Sequence, residues 1–161
     1  MSDVRHTGEE IERRLAEAGL RLPAAPPPRA NYVPFRKSGK LVWLAGQGPA
    51  YAESAPSFGK VGADLCVAEG ADAAARTALS MLAVLKVACD GDLAKVRQCV
   101  QLTGFVNSAP GFTDQPAVID GATNVLGLAF GESGLPARAA VPAPDLPFNF
   151  AVEIQAVFEL R

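Results

Sequence analysis

Ala74, Ala78, Met81, Leu82, Leu85 and Ala88 recur at three- and four-residue steps. That spacing gathers them on one face and predicts a helix over residues 71–89. Val84 and Val87 widen the stripe, so most of this helix is expected to be buried, and Asp90-Gly91 ends it. A second stripe of Val118, Ala122, Val125, Leu126 and Ala129 predicts a helix over residues 115–130, with Pro116 suited to its first turn. A shorter one, Ile11, Leu15 and Ala18, predicts a helix over residues 7–18. Thr7 and Glu10 form its capping box and Gly19 its stop.

Elsewhere the period is two. Residues 32–36 and 40–46 read as a hairpin turning near Lys37-Ser38-Gly39. Its second strand, KLVWLAG, is apolar on both faces and stops at Gly46-Gln47-Gly48-Pro49. A strand is predicted over residues 95–107, and two closing strands over residues 138–141 and 150–160. In the last of these, Val152, Ile154, Ala156, Phe158 and Leu160 share one face. Glu153, Gln155, Val157 and Glu159 share the other. Residues 22–30 carry Pro23, Pro26, Pro27 and Pro28 and read as an extended linker. Residues 50–64 are weakly patterned, with a short strand near Lys60-Val61.

The order hairpin, helix, strand, helix, strand, strand predicts an α+β domain whose two long helices cover one face of a sheet. The other face is left open although several strands are apolar on both sides. Copies of the same chain are therefore expected to cover it, giving a homo-oligomer.

Composition narrows the function. The 161 residues are 49% hydrophobic and 20% charged, enough for one domain with a real core. A net charge of -2 gives neither a nucleic-acid footprint nor a cationic membrane face. The charged start, MSDVRHTGEEIERRL, lacks a signal-peptide apolar region and no run reaches membrane-spanning length, so a cytoplasmic location is expected. Cys66, Cys89 and Cys99 lie in apolar surroundings and read as buried small hydrophobes. The sole histidine, His6, lies in the N-terminal tail. That leaves no histidine for a hydrolase triad, and no zinc or other metal site is expected.

Two charges stand out near the end of the chain. Arg138 sits in Pro136-Ala137-Arg138-Ala139-Ala140, and Glu153 in an otherwise apolar strand. A charge in such a setting needs a partner. A guanidinium can clamp a carboxylate through two parallel hydrogen bonds, or it can hold the fold together through an ion pair. Glu153 can handle a water or proton, or it can be a solvated residue or an intersubunit salt bridge. Gly46-Gln47-Gly48 can bring backbone amides close to a ligand, or it can be only a turn.

Tyr32, the run Leu44-Ala45-Gly46-Gln47-Gly48-Pro49, Pro136-Ala137-Arg138, Leu146-Pro147 and Val152-Glu153-Ile154-Gln155-Ala156 together resemble the Rid family, also called YjgF-like or L-PSP-type proteins. The resemblance spans about residues 30–160 and implies a division into an added N-terminal helix and linker, 1–30, and a Rid-like domain, 31–161. It implies a chorismate-mutase-like fold and a homotrimer with ligand sites between subunits. It further implies hydrolysis of small enamines and imines, including 2-imino acids, to 2-keto acids and ammonia, with no cofactor. By the same resemblance Arg138 binds the substrate carboxylate and Glu153 stands near the attacking water. Tyr32, Gly46 and Gln47 line the pocket, and Asp120 lies near the cleft, where its charge disfavours a dianionic ligand.

Three positions depart from the catalytic pattern, one of them near Asp120-Gly121, where an asparagine of the family is replaced. Ala45 stands where active members carry serine before Gly-Gln, and Ala140 where they carry cysteine after the arginine. These favour a second reading, a non-catalytic protein that binds a small carboxylate metabolite. A ribonuclease reading is opposed by the acidic charge, and a chorismate mutase reading rests on fold analogy alone.

Overall fold

A computed structural model describes residues 7–50 and 55–161. His6 lies outside the described residues. Helix α1 spans Gly8–Glu17, and the Thr7 hydroxyl accepts from the Glu10 N–H at 3.1 Å, as the capping pattern predicts. Ile11 and Leu15 are buried in the same core as the two long helices. Removing each from water contributes about 1.5–3 kcal/mol. Lys86 donates to Glu12 at 2.6 Å and ties α1 to the next helix.

The hairpin strands are β1, Phe35–Ser38, and β2, Leu41–Gln47. The first starts three residues later than predicted. Pro34 has no N–H for a ladder, and the Tyr32 N–H is taken up by the Ala30 carbonyl. Tyr32 thus lies before the strand, while Lys37 and Ser38 belong to it rather than to the turn.

Helix α2, Val67–Ala88, begins four residues earlier than predicted because Glu69 reaches back to accept from the Cys66 N–H at 2.8 Å. That places Cys66 outside the helix and exposed, correcting its reading as a buried residue, whereas Cys89 and Cys99 are buried. Burial pushes their thiols up to about 11 and about 12, so they stay protonated and unreactive. Helix α3 spans Gln115–Phe130. A Cβ on Gly121 would overlap the Ala71 carbonyl, so α2 and α3 meet in backbone contact there.

Strands β3, Val96–Asn107, β4, Ala137–Ala143, and β5, Val152–Leu160, complete a five-stranded sheet in the order β1-β2-β5-β3-β4. β5 is antiparallel to both neighbours, and β4 is a parallel edge strand beside β3. Pro142 is compatible with that edge position. The expected strand near Lys60 and Val61 is reduced to isolated bridges, Val61 to Leu65 and to Ser108. Residues 131–134 and 147–149 are short 3-10 turns.

The alternation predicted for β5 holds. Val152, Ile154, Ala156 and Phe158 are buried against the helices. The open face is mixed rather than uniformly apolar. Trp43 pairs with Val157 there, and Phe105 with Glu153, while Gln101, Thr103 and Gln155 interleave. Among the described residues no helix is long and apolar enough to cross a membrane.

Candidate functional site

The end of β2 sets the geometry. Leu44 pairs with Ala156 and Gln47 with Ile154, so Ala45 and Gly46 together oppose Gln155. This is a β-bulge, which bends the strand and re-aims its side chains. Gln47 turns inward and is buried, with its amide donating to the Ala45 carbonyl at 3.2 Å. At Gly46 the backbone lies directly under Glu153. A Cβ there would collide with Glu153 Oε1 and reach Cδ at 3.1 Å.

Two glutamates share the open face of β5 and differ in environment. Glu159 accepts from Arg97 at 3.1 Å and from Gln98 at 2.7 Å. Glu153 has no hydrogen-bond or ion-pair partner among the described residues. Burial alone pushes its carboxyl above the ordinary value of 4.5. Among the described residues of the chain, Glu159 is held by an ion pair and Glu153 by none.

Glu153 opens into a cavity of about 1200 Å³. Tyr32, Gly46 and Gln47 line it, as do residues of the proline-rich segment, which crosses one side as a wall. Tyr32 is half-exposed, and its hydroxyl accepts from the Arg29 N–H at 3.4 Å. The turn bearing Phe148 and Phe150 also lines the cavity.

Arg138 and Asp120 do not line this cavity. Arg138 pairs with Leu102 of β3, and Leu102 is buried beneath the helices, so Arg138 faces the helix side of the sheet. Its guanidinium contacts α3. It meets Asp120 at 2.7 Å, donates to Thr123 Oγ1 at 3.0 Å and donates to the Pro116 carbonyl at 3.3 Å. Glu153 is level with Phe105, three positions further along β3, and faces the opposite side. One chain thus brings Tyr32, Gly46, Gln47 and Glu153 together and holds Arg138 with Asp120 elsewhere.

Several residues around the cavity were not singled out from the sequence. Arg76 is a buried arginine whose guanidinium donates to Asp72, the Ala50 and Pro56 carbonyls and Ser57 Oγ at 2.6–2.8 Å. It fastens the segment following β2 to α2. Its only sequence signal is a charge within the most apolar stripe. Arg29 and Phe148 carry a clearer signal: a lone cation in a proline run, and aromatics flanking Asn149 in a turn. Among the described residues no group of three acidic, histidine or cysteine side chains could hold a metal ion.

The family described as "YjgF/chorismate mutase-like, putative endoribonuclease" matches residues 12–160. A Trypanosoma cruzi protein, TCP17, is 40% identical over 152 residues, 94% of each chain. The crystal structure of Atu1372 from Agrobacterium tumefaciens, a protein of unknown function, is 44% identical with a TM-score of 0.87, covering 95% of this chain and 93% of that one. The YjgF gene product of Escherichia coli, at 23% identity and a TM-score of 0.56, shares the fold over 85% of this chain and 94% of its own. The mixed sheet, its helical layer and these matches converge: the chain is a member of the YjgF/chorismate mutase-like family, with that family's α+β fold.

Proposed function

We propose that this chain hydrolyses small reactive enamines and imines, 2-imino acids among them, to 2-keto acids and ammonia. The observation that carries this reading is the state of Glu153, an unpartnered carboxylate with its pKa raised by burial, set in a large cavity. A carboxylate in this setting is a stronger base than an ordinary glutamate and can take a proton from water.

An enamine first tautomerises to the imine, whose carbon is already electrophilic. The water oxygen bonds to that carbon while a water proton passes to Glu153, and the C=N electron pair moves to nitrogen. That proton then goes to nitrogen to give the carbinolamine. As its hydroxyl oxygen forms C=O the C–N bond breaks, and the hydroxyl proton passes through Glu153 to the leaving nitrogen, giving the keto acid and ammonia. Orientation is the remaining requirement. Tyr32 shapes the pocket beside Glu153, with Gly46 and Gln47 forming the floor.

Arg138 is the proposed carboxylate anchor. The contacts that it makes use Nη1 and Nη2, so Nε–H is left to donate to a ligand. Since it lies across the sheet from Glu153, the proposed site pairs Arg138 of one copy with Glu153 of another, in a homotrimer. The test is ammonia release from imines generated in situ by an amino-acid oxidase. The wild-type chain accelerates release, and Glu153→Gln and Arg138→Ala reduce it to the uncatalysed rate. Unchanged rates in both variants would overturn the assignment.

The alternative is a non-catalytic protein binding a small carboxylate. Ala45 and Ala140 favour it, because they supply no polar group where the catalytic pattern carries serine and cysteine. Calorimetric binding of keto acids with no ammonia release would select this reading.

A further inference from the structure

An imine the size of alanine's fills a small part of a cavity of about 1200 Å³. Ligand pockets of about 300–1,000 Å³ accommodate much larger molecules. The wall that the strap meets through Arg29 is aromatic. Phe148 and Phe150 lie with ring centroids 5.6 Å apart, and Phe150 stacks on Phe58 at 5.7 Å. The Arg29 guanidinium stands 4.9 Å from the Phe148 ring centre and 5.8 Å from that of Phe150. It joins the proline-rich strap to the aromatic turn, and its N–H groups have no acceptor among the described residues.

The Phe148 ring is held outward at a backbone cost. Phe148 and Asn149 both have φ 58, the left-handed region that asparagine tolerates and a bulky aromatic residue rarely enters. Such strain is retained where surrounding structure imposes it, and it clusters at ligand sites. Here the fixings are identifiable. Buried Asn107 donates to Asn149 Oδ1 at 3.2 Å, the Asn149 carbonyl accepts from the Gly59 N–H at 2.9 Å, and Lys60 donates to Asn107 at 2.9 Å. They hold in place a turn whose largest side chain, Phe148, is 61% exposed and lines the cavity. Tyr32, also partly exposed, lines the same space, and so does Arg36. Arg29 and Arg36 against Glu153 leave the charged lining net cationic, which suits an acid.

We propose that the cavity selects 2-imino or 2-keto acids bearing a planar aromatic side chain, which packs against Tyr32 and the edge of the Arg29–Phe148 stack while the reacting carbon lies at Glu153. This rests on the hydrolytic reading for its chemistry but not for its recognition. Phe148 and Arg29 are therefore specificity residues, remote from the water-handling carboxylate.

Two measurements separate the claims. In the coupled oxidase assay, kcat/KM is compared for the imines of phenylalanine and alanine, for the wild type, Phe148→Ala and Arg29→Ala. The wild type favours the phenylalanine imine by at least about tenfold, a typical discrimination for an apolar pocket. Each variant loses that preference because its rate falls more on the phenylalanine imine than on the alanine imine. In calorimetry, phenylpyruvate binds the wild type more tightly than pyruvate does, and Phe148→Ala removes the difference. Selective phenylpyruvate binding without hydrolysis upholds the inference and removes the hydrolytic reading. Equal hydrolysis of both imines upholds the reaction and overturns the inference. The inference is also overturned if Phe148→Ala lowers both rates equally with a smaller particle mass by light scattering, which would mark the aromatic turn as a subunit contact. Absence of both binding and hydrolysis overturns both.

Discussion

Gly46 and Glu153 make a contact that only a residue without a side chain permits. The bulge brings the Gly46 backbone under the carboxylate, and a Cβ there would also lie 3.1 Å from Cδ and 3.2 Å from Cγ of Glu153. A carboxylate end could swing aside, but here the whole side chain must move. Gly46→Ala is expected to cost about 1–3 kcal/mol, the usual range for overpacking. It should also remove activity by displacing Glu153. Urea unfolding of Gly46→Ala, Glu153→Ala and the double variant checks this. The double variant should be more stable than the sum of the two single effects predicts, because the collision is gone.

Glu153 also predicts a pH dependence. Its folded-state pKa lies above its ordinary value of 4.5, so between those two values the folded chain holds a proton that the unfolded chain has released. Stability from this group falls as pH rises through that window, and the full penalty applies above it. Glu153→Gln should therefore unfold at a higher temperature than the wild type at neutral pH, with the difference shrinking as pH falls through that window and gone below the ordinary carboxylate value. Thermal unfolding across pH reads this directly. A variant less stable at neutral pH would contradict the burial argument.

The Arg138–Asp120 pair gives the third prediction. Asp120 is more than half exposed, so its contribution to stability is small, about 0–1 kcal/mol. Its contribution to binding is larger if Arg138 anchors a carboxylate, since Asp120 competes for the same guanidinium. Asp120→Asn should leave the unfolding midpoint nearly unchanged and tighten keto-acid binding severalfold by calorimetry. Weaker binding would show that Asp120 orients Arg138 rather than competing with ligand.

Arg76 is a structural prediction. Its fork serves two backbone carbonyls, Ser57 and Asp72 at once. Lysine cannot span those acceptors. Stranding buried acceptors costs about 1–3 kcal/mol each, so Arg76→Lys should destabilise by about 2–3 kcal/mol in urea unfolding. The edge of the cavity formed by Pro49 and Ala50 should loosen with it, seen as faster amide exchange at Ala50, whose N–H faces the Arg76 carbonyl.

The helices were legible because their stripes are long and strictly spaced, and β5 because every second residue is apolar. β4, predicted over residues 138–141, spans Ala137–Ala143, but Ala-Arg-Ala-Ala-Val has no alternation, so only its parallel register with β3 reveals which way Arg138 points. The bulge at Ala45 and Gly46 leaves no mark in hydrophobicity, so Gly46-Gln47-Gly48 reads first as a turn, and only its place beside β5 brings it under Glu153. Tyr32 looked like the start of a strand, but Pro34 delays that start and frees the ring to line the cavity. The strap read as a linker because prolines exclude helix. What it covers depends on the packing of Arg29 on Phe148, which no local pattern encodes.

The central claim is that Glu153 of one copy works with Arg138 of another. Subunit exchange between Arg138→Ala and Glu153→Gln chains tests it most directly. Each variant alone is expected to be inactive in the imine assay. In an equal mixture of freely exchanging trimers, about a quarter of shared sites receive both intact residues, so about a quarter of wild-type activity should return. A mixture as inactive as its parents, with mass measurements showing that hybrid assemblies have formed, would contradict the account.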